Sequence, residues 1–220
     1  MFKKILFAED IDMINIAMRM VLEETGAEVH HTKYCDDALL KLKKANLDKQ
    51  PFDLVVTDLS FEADHREVTL KSGEDLIKNI RLLQPDVPIL VCSIEDKNYR
   101  VKSLFEHYKI NAFVHKSRKT LPELKTAIEK LSKGESFISP DLEHTLRDKS
   151  INEIDEYDIQ LIKQLAFGIP QEKMDVKFKE LGISPNSKST IEKRISKLKD
   201  YFKANNTIHL VAIAKDLGIA

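Results

Sequence analysis

The stretch Phe52-Asp53-Leu54-Val55-Val56-Thr57-Asp58-Leu59-Ser60-Phe61 decides the fold. Leu54, Val55 and Val56 form a short apolar run, rich in β-branched side chains and without alternation, which is the pattern of a parallel strand covered on both faces. The run delivers one carboxylate, Asp58, to its C-terminal end. Ligand and catalytic groups of open α/β sheets lie just beyond the carboxyl ends of such strands. An isolated Asp after a strand commonly just caps a turn, so the meaning of Asp58 rests on what the other strand ends carry.

Working outward, Ile5, Leu6 and Phe7 make a buried strand that ends in the acid pair Glu9-Asp10. A helix follows with Ile14, Ala17, Met18 and Val21 at inward spacing and Gly26 as its stop. Glu28 to Thr32 reads as an edge strand whose His30 and His31 are surface residues rather than ligands, and Asp36 to Lys44 as a second helix. Beyond Asp58, the polar segment Glu62 to Ser72 is long for its place and reads as a tolerated insertion rather than a lid. Ser72-Gly73-Glu74-Asp75 opens a helix carrying Leu76, Ile77 and Ile80. Strand Ile89 to Cys92 ends in Ser93, helix Asn98 to His107 follows, strand Ala112 to Val114 leads to Lys116, and helix Leu121 to Ser132 closes the series. Five strands alternating with five helices predict an α/β fold over residues 1–132, a doubly wound, five-stranded parallel sheet.

A chain of 220 residues, 42% hydrophobic and 32% charged, suits one such domain with a smaller one after it. It holds no apolar run of about 18 residues, and its first ten residues meet charge too soon for a signal peptide, so a cytoplasmic protein with no membrane partner is expected. Cys35 and Cys92 lack metal-ligand spacing and read as reduced thiols. The net charge of −1 hides an uneven distribution: between residues 188 and 203, Lys188, Lys193, Arg194, Lys197, Lys199 and Lys203 face only Glu192 and Asp200.

Strand ends one, three, four and five therefore carry Glu9-Asp10, Asp58, Ser93 and Lys116, and the topology can bring all of them to one crevice. Three clustered carboxylates repel one another unless a cation compensates, and hard oxygen donors with waters suit Mg²⁺. Asp58 is then placed to attack phosphorus, with Ser93 and Lys116 each binding a phosphoryl oxygen. With these residues, Val-Val-Thr-Asp58-Leu, Ile-Leu-Val-Cys-Ser93 and Phe-Val-His-Lys116-Ser, the chain resembles the receiver domain of two-component response regulators, a flavodoxin-like fold. The resemblance implies that Asp10 and Asp58 bind Mg²⁺ with a water-mediated role for Glu9 and a further ligand from the Ser60 backbone carbonyl. It also implies that Phe113, an ordinary core phenylalanine by its residues alone, is the switch aromatic that turns inward as Ser93 moves toward the phosphate. Ser60 and Glu95 fall where the family tunes dephosphorylation. The sequence departs from the family where Phe61-Glu62 replaces Met-Pro, where the loop to Gly73 is lengthened, and where Ser117 replaces the proline after the lysine.

Residues 133–153 read as a linker with one short helix from Pro140 to Leu146, and residues 154–220 as a small all-α domain. There Ile159, Ile162, Leu165 and Ala166 share a helix face, Gln171 to Glu180 forms a second helix, and Ser189 to Phe202 a third with Ile191, Ile195, Leu198 and Phe202 as its buried stripe. The opposite face is basic and hydroxyl-bearing, the chemistry that binds phosphates and approaches base edges in a major groove. From Ser-Thr190-Ile191-Glu-Lys193-Arg to the closing Asn-Asn-Thr-Ile-His-Leu-Val-Ala-Ile-Ala, this region resembles the helix-turn-helix output domain of the LuxR group. That resemblance implies that Lys188, Ser189, Thr190, Glu192, Lys193, Ser196 and Lys197 lie on or beside DNA. Its turn is longer than usual, and Glu192 stands where basic or neutral residues are common; Glu can accept from cytosine.

The combined expectation is a response regulator of the NarL/LuxR type, not an enzyme beyond the chemistry of Asp58 itself. A partner histidine kinase phosphorylates Asp58 with Mg²⁺, and a homodimer then binds double-stranded promoter DNA. Two rivals are a receiver that regulates DNA binding without phosphate, and a haloacid-dehalogenase-like phosphatase using the Asp-x-Asp of Asp10 and Asp12.

Overall fold

A computed structural model describes residues 2–62, 64–147, 154–216 and 219, which divide into two compact units, residues 1–146 and 147–220. In the first, strands β1 (Lys4–Ala8), β2 (Glu28–Thr32), β3 (Leu54–Thr57), β4 (Ile89–Ser93), β5 (Ala112–His115) and β6 (Phe137–Ile138) form one sheet in the order β2-β1-β3-β4-β5-β6, every neighbour parallel. The order reverses between β1 and β3, which is where an open sheet leaves a crevice at its carboxyl edge. Alternation along each strand feeds two cores. Ile5, Phe7, Leu54, Val56, Leu90, Cys92 and Val114 pack with Met18, Leu22, Leu124 and Ile128 of helices α1 (Asp12–Glu23) and α5 (Thr120–Leu131). Leu6, Val55, Val91 and Phe113 pack on the other face with α2 (Cys35–Leu47), α3 (Gly73–Leu83) and α4 (Asn98–Glu106).

Two expectations are corrected. The sheet has six strands, not five, because Phe137–Ile138 adds to the edge of β5, with Phe137 N–H donating to Asn111 O and Ser139 N–H to Phe113 O. A two-residue strand carries no periodic signal and is decided by its pairing partner. The linker also does not begin at 133. Leu142 is buried in the α2–α4 core, and Thr145 of the short helix α6 (Glu143–Arg147) bonds Asn98 at 2.9 Å, so this segment belongs to the first unit. Residues 148–153 of the expected linker lie outside the described residues.

The second unit contains α7 (Glu156–Ala166), α8 (Met174–Glu180), α9 (Lys188–Tyr201) and α10 (Thr207–Asp216). Met174, Phe178, Ile191, Ile195, Leu198, Leu210 and Ala214 are buried, and Phe202 is half-buried. On α7 the inward face is Asp158, Leu161, Ile162 and Leu165; Ile159 is half-buried, and the fully buried acid takes the place the hydrophobic pattern left open. Among the described residues, no helix is long and apolar enough to cross a membrane.

Candidate functional site

At the crevice, Glu9, Asp10 and Asp58 each offer a carboxylate oxygen within 4.8 Å of the others. Asp58 follows β3 directly, its N–H donating to Ala8 O of β1 at 3.1 Å, and its own carboxylate accepts from Leu59 N–H at 2.5 Å through Oδ1. Lys116, just past β5, supplies the compensating charge. Its Nζ lies 2.6 Å from Glu9 Oε2 and 2.7 Å from Asp58 Oδ2. Burial works against the Lys116 ammonium, but the hydrogen bonds and charges of Asp58 and Glu9 outweigh it and hold its pKa above the ordinary value. Burial pushes the Glu9 carboxyl up, against the pull of Lys116, with the repulsion of Asp58 adding to the rise. Asp10 Oδ1 is buried with no hydrogen-bond partner, and a buried bare carboxylate oxygen beside two further carboxylates fits a hard divalent cation.

Ser93 ends β4, buried, and its carbonyl accepts from Lys116 N–H at 2.8 Å, so the hydroxyl and the ammonium sit on neighbouring strand ends. Ser60 is exposed, pairs with Ser72 in an isolated antiparallel bridge, and shares a cavity of about 250 Å³ with Ser93, Glu95 and Arg100. Phe113 is fully buried. Glu95 is held by Arg100, which also pairs with Glu74, both at 2.8 Å. The Asp-x-Asp alternative fails on geometry: Asp12 stands in the first turn of α1, mostly exposed, and pairs with Lys33 at 2.6 Å.

Three contributors escaped the sequence reading. Gly73 opens α3 against Asp58: a Cβ there would stand 1.9 Å from Asp58 O, so only glycine fits without a backbone shift. The signal was a glycine directly after the capping Ser72, whose side chain accepts from Asp75 N–H. His31 is not a surface residue but half-buried: Nε2 lies 2.8 Å from Glu9 O and Nδ1 3.2 Å from the Asn15 amide, while burial lowers its pKa. A neutral ring donating from Nε2 and accepting at Nδ1 satisfies both and braces the acid pair. The third is the segment expected as a mere insertion. Glu62 N–H donates to Asp10 Oδ2 at 2.7 Å, Thr69 N–H to Asp36 at 2.8 Å, and Arg66 forks onto Asp37 at 2.7 and 3.0 Å. Tyr34 O–H donates to Asp64 at 2.5 Å. The loop is thus strapped to the start of α2, around a cavity of about 470 Å³, and reaches the acid site.

In the second unit, Ser187 caps α9, accepting from Thr190 N–H. Lys188, Ser189, Glu192, Lys193, Ser196 and Lys197 are all exposed, at the spacing of one helix face. Thr190 is half-buried, and its hydroxyl lies 2.8 Å from Ser187 Oγ.

The sequence profile of the response regulator receiver domain matches residues 5–129. No curated protein sequence matches the chain. Among solved structures, the RcsB response regulator of Salmonella typhimurium superposes with a TM-score of 0.65 at 22% identity, over 97% of this chain and 99% of that one. An RcsB–DNA complex gives 0.63 at 21%, over 97% and 98%. RcsB from Salmonella enterica serovar Typhimurium bound to promoter P1flhDC in the presence of phosphomimetic BeF3- gives 0.60 at 22%, over 96% of both chains. At these identities the likeness establishes the two-part fold.

Proposed function

Because the chain belongs to the response regulator receiver-domain family, we propose that its first unit is a phosphorylation switch and its second a DNA-binding output. The observation that carries this reading is Lys116 bridging Glu9 and Asp58 beside the unpartnered oxygen of Asp10. Mg²⁺ held by Glu9, Asp10, Asp58 and the Ser60 carbonyl would supply the positive charge that lets a phosphoryl group approach three carboxylates. An oxygen of Asp58 attacks phosphorus of a phosphohistidine on a partner histidine kinase. The O–P bond forms as the P–N bond breaks, and the electron pair leaves on the imidazole nitrogen. Lys116 exchanges a carboxylate oxygen for a phosphoryl oxygen, and the Ser93 hydroxyl donates to another. Because Lys116 N–H is bonded to Ser93 O, the two strand ends shift together, and Phe113 is buried in the core on one face of the sheet. Phosphorylation shifts the population toward an arrangement in which a homodimer binds two half-sites of promoter DNA. The covalent chemistry of this reading is the gain and later hydrolysis of the acyl phosphate at Asp58.

The DNA half of the reading is supported by the exposed basic stripe of α9 and by the DNA-bound state of its RcsB neighbours. The test is binding of the full-length protein to a pool of random duplex DNA, with and without beryllofluoride and Mg²⁺, at two salt concentrations. Tighter sequence-selective binding with beryllofluoride, falling steeply with salt, is the expected result. Selective binding unchanged by beryllofluoride would leave a DNA-binding protein whose receiver acts without phosphate, and no binding in either state would overturn the output assignment.

A further inference from the structure

Arg194 is the only arginine of α9, and it does not join the lysines of that helix's exposed face. Its half-buried guanidinium is engaged by side chains of the same unit. Nε lies 3.0 Å from Asp158 Oδ1, NH2 is hydrogen-bonded to Asp155 Oδ2, and the fork lies over the Tyr157 ring, 5.4 Å from the centroid. Asp155 and Asp158 are the two halves of the capping box that starts α7. Tyr157, between them, donates from its hydroxyl to Pro185 O at 2.7 Å in the turn before α9, and its ring meets Phe178 of α8 edge-on at 5.2 Å. One side chain of α9 is thereby tied to the start of α7, and through Tyr157 to the turn and to α8. A planar guanidinium hydrogen-bonded to Asp155, ion-paired with Asp158 and lying over a ring restricts rotation as well as distance, which a lysine's point charge does not.

We propose that Arg194 is a positioning residue for DNA recognition: it touches no phosphate itself, and by clamping α9 to the N-terminus of α7 it sets the angle at which Lys193, Ser196 and Lys197 meet the duplex. This rests on the reading of the second unit as a DNA-binding domain. The buried position of Asp158, 0% exposed, supports the assignment, since a carboxylate is not buried without a partner. Burial and the neighbouring Asp155 push its carboxyl up to about 6, while Arg194 and Lys197 pull it back.

The experiment uses the full-length protein with beryllofluoride and Mg²⁺, a duplex selected by the wild type from a random pool, and a scrambled duplex of the same composition. Affinity for each is followed from low to high salt. For Arg194→Gln, binding to the selected duplex is expected to weaken about tenfold, the preference over the scrambled duplex to shrink, and the salt slope to stay at the wild-type value. Lys193→Gln, which removes a phosphate contact, should lower that slope by about 0.9 with preference retained. Asp158→Asn is the second variant: it leaves every residue of the exposed face in place and removes one negative charge. The clamp requires that it too lose preference. Circular dichroism melts of each variant separate lost positioning from lost folding, and if Arg194→Gln fails to fold, Asp158→Asn decides. A slope lowered by about 0.9 in Arg194→Gln makes Arg194 a phosphate contact and overturns the proposal, as does undiminished preference in Asp158→Asn. A wild type that binds neither duplex overturns the DNA-binding reading itself, and the clamp's role with it.

Discussion

In the first unit a lysine bridges two carboxylates, Lys116 on Glu9 and Asp58 at 2.6 and 2.7 Å; in the second an arginine does, Arg194 on Asp155 and Asp158. The compositions are nearly the same, and the surroundings differ. Lys116 faces a third acid, Asp10, with a bare buried oxygen, and its ammonium is a compact charge on a flexible stem that can change partners without moving the backbone. Arg194 meets two acids already committed to capping a helix, and its planar fork is stacked on Tyr157. A cation between two carboxylates is therefore no signature of function in itself. What separates the two is the setting: a third acid, Asp10, stands beside the pair bridged by Lys116, whereas the pair held by Arg194 is the two halves of a helix cap.

Four changes test that contrast. Asp58→Asn should abolish phosphoryl uptake while leaving the second unit's melting unchanged; label persisting on this variant, followed with a labelled small phosphodonor, would place the acceptor elsewhere. Lys116→Met should slow uptake by about 10²- to 10³-fold, the size found when one preorganised donor is lost from a reaction site, read from the same labelling time course. An unchanged rate would reduce Lys116 to a neutraliser of Glu9. Gly73→Ala should cost about 1–3 kcal/mol in urea unfolding of the first unit and slow uptake as well, because the new Cβ displaces the backbone of Asp58. Loss of stability with a normal rate would detach α3 from the reaction.

The smallest effect is a pH dependence of the second unit. The Asp158 carboxyl is raised from 3.8 to about 6 in the fold, so the folded state binds this proton more tightly than the unfolded chain does. Its ionisation costs stability above about 6, and the cost is relieved as pH falls through that value. Between pH 7 and pH 5 the wild type should gain about 1 kcal/mol relative to Asp158→Asn, measured by urea unfolding at both pH values. A constant difference would mean that Arg194 keeps Asp158 ionised throughout.

The cluster at the strand ends of the first unit was legible because its signals are local. A parallel strand buried on both faces is a run of consecutive apolar residues, and Glu9, Asp10, Asp58, Ser93 and Lys116 each stand within one or two residues of such a run's end. What was not legible depends on partners far along the chain. His31 reads as one of two adjacent edge-strand histidines until Glu9 O and Asn15 are found beside it. The strap from Glu62 to Leu70 reads as polar excess, because its anchors Asp10, Asp36 and Asp37 lie 29 to 52 residues away. Arg194 counts as one more positive charge on α9 until Asp155, 39 residues earlier, takes it out of the basic face.

By itself, then, the sequence determined the alternation of strands and helices, the acids, hydroxyl and lysine at the strand ends, and the apolar stripe of α9, since each follows from periodicity over a few residues. Only the tertiary structure decided the sixth strand, the close fit of Gly73 against Asp58, the docking of the 62–70 segment and the burial of Asp158 beneath Arg194. These are pairings across the chain, and a pairing energy belongs to two distant residues brought within a few ångströms, a distance that no local pattern encodes.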